Sequence, residues 1–192
     1  MGSYRGIQIM KIPNLKDIHP DVQALIEHFQ FDTLPVEGTL YKSVYRSPLK
    51  VANGEPASTS MIGMYSNVPF SVSCFHKLKS AEVWHVYGGD PFMLVLLYED
   101  GSSEQVLMGN EPLKGEHVQY VVPANTWQAG YLIEGGRYAL FGCTMAPGFC
   151  GKNFVAGTAD GLTKLYPDQE DIIRKLSVNG HKTKMPAGFE DD

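Results

Sequence analysis

The sequence predicts an all-β sandwich or jelly roll flanked by short helices, and three observations carry that reading. From Thr39 onward, short runs rich in Val, Ile, Tyr, Phe and Leu alternate with Gly, Pro, Asn and Asp. Eight to ten such runs follow one another at regular spacing, with no strand–helix alternation of the α/β kind. The 20 Gly and 12 Pro among 192 residues supply the many turns that such a fold needs.

Taken in order, Ile18 to Phe31 has apolar residues at Val22, Leu25, Ile26 and Phe29, the spacing of one helical face, with Pro20 and Asp21 suited to a first turn. Strands are expected over Leu40 to Arg46, Ser58 to Ser66, Phe70 to His76, Glu82 to Tyr87, Phe92 to Tyr98, Ser103 to Met108, Gln119 to Pro123, Gln128 to Leu132 and Tyr138 to Met145. Glu99 to Ser102 and Glu134 to Arg137 read as tight turns, each with a Gly where positive φ is needed. Pro167 to Leu176 reads as a closing helix with Ile172, Ile173 and Leu176 inward, and Ser177 to Asp192 as an aperiodic tail or partner-covering arm.

Composition narrows the function. The net charge is −5 and no basic run occurs, so nucleic acid is not an expected partner. No apolar run of membrane-spanning length and no secretory profile is present, which leaves the cytoplasm as the expected location and no membrane as a partner. Cys74, Cys143 and Cys150 fit neither a disulfide framework nor a CxxC knuckle and read as reduced thiols. P-loop, GxGxxG, HExxH and GxSxG fingerprints are all missing.

The densest chemistry lies in Phe75 to Asp90. If Lys79 to Ala81 makes a turn between two paired strands, His76, Leu78, Glu82, Trp84 and Val86 share one face. His76 and Glu82 then suit either one metal ion or a base with its partner in a partly dry pocket. His85 has the opposite parity and points away unless a bulge intervenes. Cys74 shares the parity of His76, so its thiol would line the same pocket, although it reads more simply as a small buried hydrophobe.

These residues resemble a known family. His76-Lys77-Leu78-Lys79-Ser80-Ala81-Glu82-Val83-Trp84-His85, then Gly88-Gly89-Asp90-Pro91, is similar to the core signature of the cupin-5 family, within the cupin superfamily and similar in fold to the dTDP-sugar 3,5-epimerases. Val121 to Ala129 resembles the second motif, Gly142 to Phe149 the closing strand, and Glu37-Gly38 with Tyr45-Arg46-Ser47 the opening segment. The resemblance implies a double-stranded β-helix, a cupin barrel over residues 34–149. Residues 1–33 would form an N-terminal arm and helix and residues 150–192 a C-terminal helix and tail, all in a single domain. It also implies a homodimer and a pocket between the sheets for a small-molecule ligand.

The resemblance leaves the chemistry open. Metal-binding cupins carry two His two residues apart and a Glu in the first motif, and a further His in the second. Here His76 and Glu82 match, Leu78 replaces the second His, and Gln128 stands in the place of the last. The family commonly reads His-Pro-Glu-Gly-Gly-Tyr in the opening segment with a Glu shortly before its Tyr-Arg-Ser, whereas this chain has Leu34-Pro35-Val36-Glu37-Gly38-Thr39 and Ser43, leaving Glu37 and Arg46 as candidate pocket or dimer contacts.

Three functions fit. The first is an isomerase or epimerase working on a carbonyl or sugar-like substrate without a cofactor. In it His76 is the base, Glu82 sets the tautomer and proton affinity of His76, Gln128 or a tyrosine such as Tyr65 or Tyr138 steadies the enolate oxygen, and Trp84 walls the pocket. The second is an oxygenase or lyase using one divalent ion (Fe, Ni, Zn or Mn) held by His76, Glu82 and Gln128. The third is a non-enzymatic small-molecule binder or sensor.

Overall fold

The computed structural model describes residues 18–178 and 182–191. The first helix, α1 (Pro20–Phe29), is shorter at both ends than the expected Ile18 to Phe31, and its caps explain why. His19 is extended and its Nδ1 accepts the Asp21 N–H at 3.2 Å, which fixes the start at Pro20. Gln30 turns left-handed (φ 52°) and ends it.

The strands are β1 (Asp32–Thr33), β2 (Leu40–Arg46), β3 (Thr59–Ser66), β4 (Ser73–Lys77), β5 (Glu82–Gly89), β6 (Phe92–Leu97), β7 (Ser103–Met108), β8 (Gln119–Val122), β9 (Trp127–Leu132), β10 (Tyr138–Met145) and β11 (Val155–Ala156). They form two antiparallel sheets, one ordered β1-β2-β3-β10-β5-β8 and the other β11-β4-β9-β6-β7. Both expected turns form, with Gly101 at φ 88° and Gly135 at φ 82°. Asp100 Oδ1 accepts from the Ser102 N–H at 2.9 Å and holds the first of them.

The sheets enclose an aromatic core of Tyr65, Trp84, Phe92 and Phe141. The far side of the five-stranded sheet is covered by α2 (Ala159–Leu165) and α3 (Glu170–Leu176), which bury Leu162, Ile173 and Leu176 against Phe75, Val95 and Leu97. α2 has one buried apolar residue in seven, too few to show a period, although Thr158 is a proper cap that accepts the Gly161 N–H. Pro167 to Gln169 is a 3-10 turn, so the closing helix starts three residues later than its sequence suggests. No helix among the described residues is long and apolar enough to cross a membrane.

Two expectations are corrected. β4 and β5 do not pair as a hairpin, because β4 lies between β11 and β9 in one sheet and β5 between β10 and β8 in the other. The chain crosses from sheet to sheet between Lys77 and Glu82, so His76 and Glu82 project into the interior from opposite walls. Residues 182–191 are not a free arm either. The Ala156 N–H donates to the Thr183 carbonyl at 2.8 Å, and Met185 is buried among Leu34, Leu78, Met145 and Phe154.

Candidate active site

One end of the barrel holds a narrow cavity of about 40 Å³ lined by groups from both sheets, among them Glu37, His76, Glu82, Trp84 and Cys143, with Leu34, Leu78, Met145 and Phe149 as apolar wall. Glu37, His76 and Glu82 are each less than a tenth exposed. Burial of three ionisable groups so close together demands partners for each.

A bulge positions His76. The β4–β9 register slips between Ser73 and His76, so both side chains turn inward despite their odd spacing. The slip also sends Cys74 outward to the cluster beneath the helices, where burial raises its thiol to about 12, and it does not line the cavity. The His76 ring stacks on Phe154 at 5.2 Å between centroids. His76 Nδ1 lies 2.8 Å from the Cys74 carbonyl, which only accepts, so Nδ1 carries the proton. The Cys74 carbonyl, rather than Glu82, therefore sets the tautomer. In the neutral ring Nε2 keeps its lone pair, with Glu37 Oε2 3.8 Å away.

Glu37 is the end of a buried hydroxyl chain. Tyr65 Oη donates to Ser73 Oγ at 2.6 Å, Ser73 Oγ and Thr39 Oγ1 are 2.8 Å apart, and Thr39 Oγ1 donates to Glu37 Oε1 at 2.6 Å. Each hydroxyl thus passes its donor toward the carboxylate, an arrangement that suits negative charge on Glu37.

Glu82 sits in a different environment. Burial pushes its carboxyl above the usual range, with Glu37 adding to the rise and His76, Gln128 and Cys143 opposing it. Gln128 Nε2 donates to Glu82 Oε2 at 2.7 Å, and Gln128 Oε1 accepts from Trp84 Nε1 at 3.0 Å. Indole nitrogen only donates, so the amide orientation is fixed: its oxygen faces Trp84 and its NH₂ faces Glu82. The Cys143 thiol hydrogen-bonds Glu82 and is held well above its ordinary range by burial and by that carboxylate.

The remaining sequence candidates separate. Trp84 and Gln128 belong to the site as described. Tyr65 gives its hydroxyl to Ser73 and packs its ring at 4.5 Å from Phe141, so it supports the site from behind and does not line the cavity. Tyr138 packs over Gly89 and is likewise outside the lining. Arg46 also lies off the cavity wall: Nη1 donates to the Phe149 carbonyl at 2.9 Å and Nη2 to the Glu190 carbonyl at 2.8 Å. His85 points away from the cavity and meets Gln119 at 3.0 Å, because the β5–β10 register slips beyond it, opposite Leu140 and Phe141. Trp127, in the segment resembling the second motif, lies on the outer face among the helices, with Lys77 Nζ 4.9 Å over its ring. Sequence reasoning missed Thr39, Ser73, Cys143 and Glu190. Only the parity of Cys143 with Met145 and Phe141 offered a signal, since the others act through folding contacts.

Comparison with known proteins agrees with this architecture. The family model described as cupin superfamily (DUF985) matches residues 23–156. The chain belongs to this family. A hypothetical protein from Leishmania major is similar at 29% identity and TM-score 0.75, over 82% of this chain and 98% of that one. A protein from Shewanella oneidensis is similar at 25% identity and TM-score 0.74, over 81% and 96% of the two chains. No curated protein matches the sequence.

Divalent metals are frequent in cupins, so the fit of the donor set matters. Among the described residues no cluster of three or more His, Cys, Asp or Glu is arranged to hold an ion. Gln128 turns an NH₂ toward Glu82 and spends its oxygen on Trp84, and an NH₂ is no ligand for a cation. The set His76, Glu82 and Gln128 in this arrangement does not fit a metal ion.

Proposed function

We propose that this cupin is an acid–base enzyme acting on a small carbonyl or sugar-like compound, in the manner of an isomerase or epimerase. One observation carries the reading: His76, whose Nδ1 is engaged by a backbone carbonyl so that Nε2 is the nitrogen left for a substrate, and Glu82, a carboxyl whose hold on its proton burial strengthens, line the same cavity from facing sheets. Nε2 takes a proton from the carbon next to the carbonyl, and the electron pair of that C–H bond moves to the carbonyl oxygen. Glu82, as the neutral acid, hydrogen-bonds that oxygen and gives it its proton as charge develops, forming the enol. Glu37, 3.8 Å from Nε2, stabilises the imidazolium that results. Glu82 takes a proton back from oxygen as a proton returns to carbon. Solvent protonation of the same carbon from the other face inverts its configuration while the enol O–H goes back to Glu82. In an α-hydroxy compound the imidazolium protonates the former carbonyl carbon while the α-hydroxyl gives its proton to Glu82, which isomerises the compound.

The test needs no prior substrate. The protein is incubated in D₂O with a panel of aldoses, ketoses and keto-sugars, and exchange of the hydrogen beside the carbonyl is followed by NMR. At least one compound is expected to exchange, and His76→Ala to slow it by roughly 10²–10⁴-fold. Exchange at the wild-type rate in His76→Ala, or no exchange with any compound, rejects the proposal; a compound bound equally by both proteins without exchange favours a binding or sensor role.

A further inference from the structure

We propose that residues 187–191 are a lid on this cavity, latched by Arg46, and that a ligand enters by displacing Glu190. The inference rests on the cavity being the ligand site. Its first support is a discrepancy of size. The cavity measures about 40 Å³, room for one or two waters, whereas small-molecule pockets run to roughly 300–1,000 Å³. Movement of part of the wall would enlarge the cavity for a carbonyl compound.

The walls differ greatly in how firmly they are held. β3 pairs with β2 and β10, and β5 pairs with β10 and β8, so the strand walls are hydrogen-bonded along both edges. Glu190, which also lines the cavity, belongs to a segment with far fewer ties. They include the Arg46 Nη2 bond to its carbonyl at 2.8 Å, the Lys152 N–H donating to Asp191 Oδ1 at 3.0 Å, a local bond from the Phe189 N–H to the Pro186 carbonyl, and the Phe189 side chain, which lies 6.4 Å from the Tyr41 ring and packs at the edge of the cluster of Leu34, Met145 and Phe154. Glu190 is in the left-handed region at φ 47°, unfavourable for a residue with a side chain. Segments held by few contacts open first. Met185 anchors the chain just before this segment into the core, so the lid leaves without taking a barrel element with it.

The chemistry agrees with a lid rather than a fixed wall. The Glu190 carboxyl is pushed up by burial while Arg46 opposes the rise. Arg46 bonds the carbonyls of both Phe149 and Glu190, tying the lid to the loop after β10. The segment lies outside residues 23–156, the part matched by the family model.

The opening can be read with the protein's own thiols. Cys143 lines the cavity, whereas Cys74 is buried under the helices on the other side of the five-stranded sheet. Labelling with N-ethylmaleimide, quantified at each cysteine by peptide mass spectrometry, gives the ratio of Cys143 to Cys74 modification, which general loosening does not favour. Deleting residues 187–192 is expected to raise that ratio at least tenfold, and Arg46→Ala to raise it severalfold with the segment present. A ratio unchanged in both variants overturns the lid. Labelling requires no substrate, so its failure is distinct from a failure of the exchange experiment above.

Discussion

The two ends of the barrel interior are buried alike and built oppositely. At one end Tyr65, Trp84, Phe92 and Phe141 pack ring on ring at 4.5–6.4 Å between centroids, each 2% exposed or less. At the other, Glu37, His76 and Glu82 surround a small cavity and are held by a hydroxyl chain, a backbone carbonyl and one amide. The difference teaches that this fold separates stability from chemistry by position along its axis. Apolar burial supplies free energy at the first end, and desolvation at the second perturbs proton affinity. Trp84 straddles the boundary, its ring in the aromatic cluster and its N–H on Gln128.

Substitutions at each end sharpen the contrast. Phe141→Ala strikes the aromatic end alone and is expected to cost about 3–5 kcal/mol in urea denaturation, since the ring is fully buried and touches three others. A loss below 1 kcal/mol would mean that this end is not where the barrel draws its stability.

Trp84→Phe tests the boundary. It keeps most of the ring and removes the donor to Gln128 Oε1, leaving a buried amide oxygen without that partner, at an expected cost of about 1–3 kcal/mol by the same measurement. The amide becomes free to turn, which would replace the Glu82 contact as well. Unchanged stability would show that the amide orientation is held by something other than the indole.

The smallest effect is a slope. Because the folded carboxyl of Glu82 holds its proton to higher pH than the unfolded one, folding takes up a proton between the ordinary carboxylate range and the raised value. Stability from this residue therefore falls as pH climbs through that window and levels off above it. Glu82→Gln removes the contribution, so the urea midpoint of the variant is expected to gain on that of the wild type as pH rises. Parallel midpoint profiles for the two proteins would contradict a raised value for Glu82.

Much of this was legible in the chain. Alternating apolar residues located the strands, because side-chain period is a local property, and the resemblance around His76 and Glu82 identified the cupin barrel. The failures also share a cause. Strand parity placed His76 and Glu82 on one hairpin face, but the chain changes sheets between them, and their meeting depends on two walls packing together. Parity placed Cys74 in the pocket, but the slip between Ser73 and His76 reversed it.

By itself, then, the sequence determined the all-β class and the succession of strands along the chain, consequences of local period and turn chemistry, and the family resemblance singled out His76, Glu82 and Gln128. Only tertiary structure decided what those groups are. The indole of Trp84, 44 residues from Gln128, chose which end of the amide meets Glu82. A hydroxyl chain joining Thr39 to Ser73, 34 residues apart, ran to Glu37, and Glu190, from past residue 180, joined the cavity lining. Hydrogen-bond roles and desolvation are fixed by neighbours in space, and no spacing along the chain encodes them.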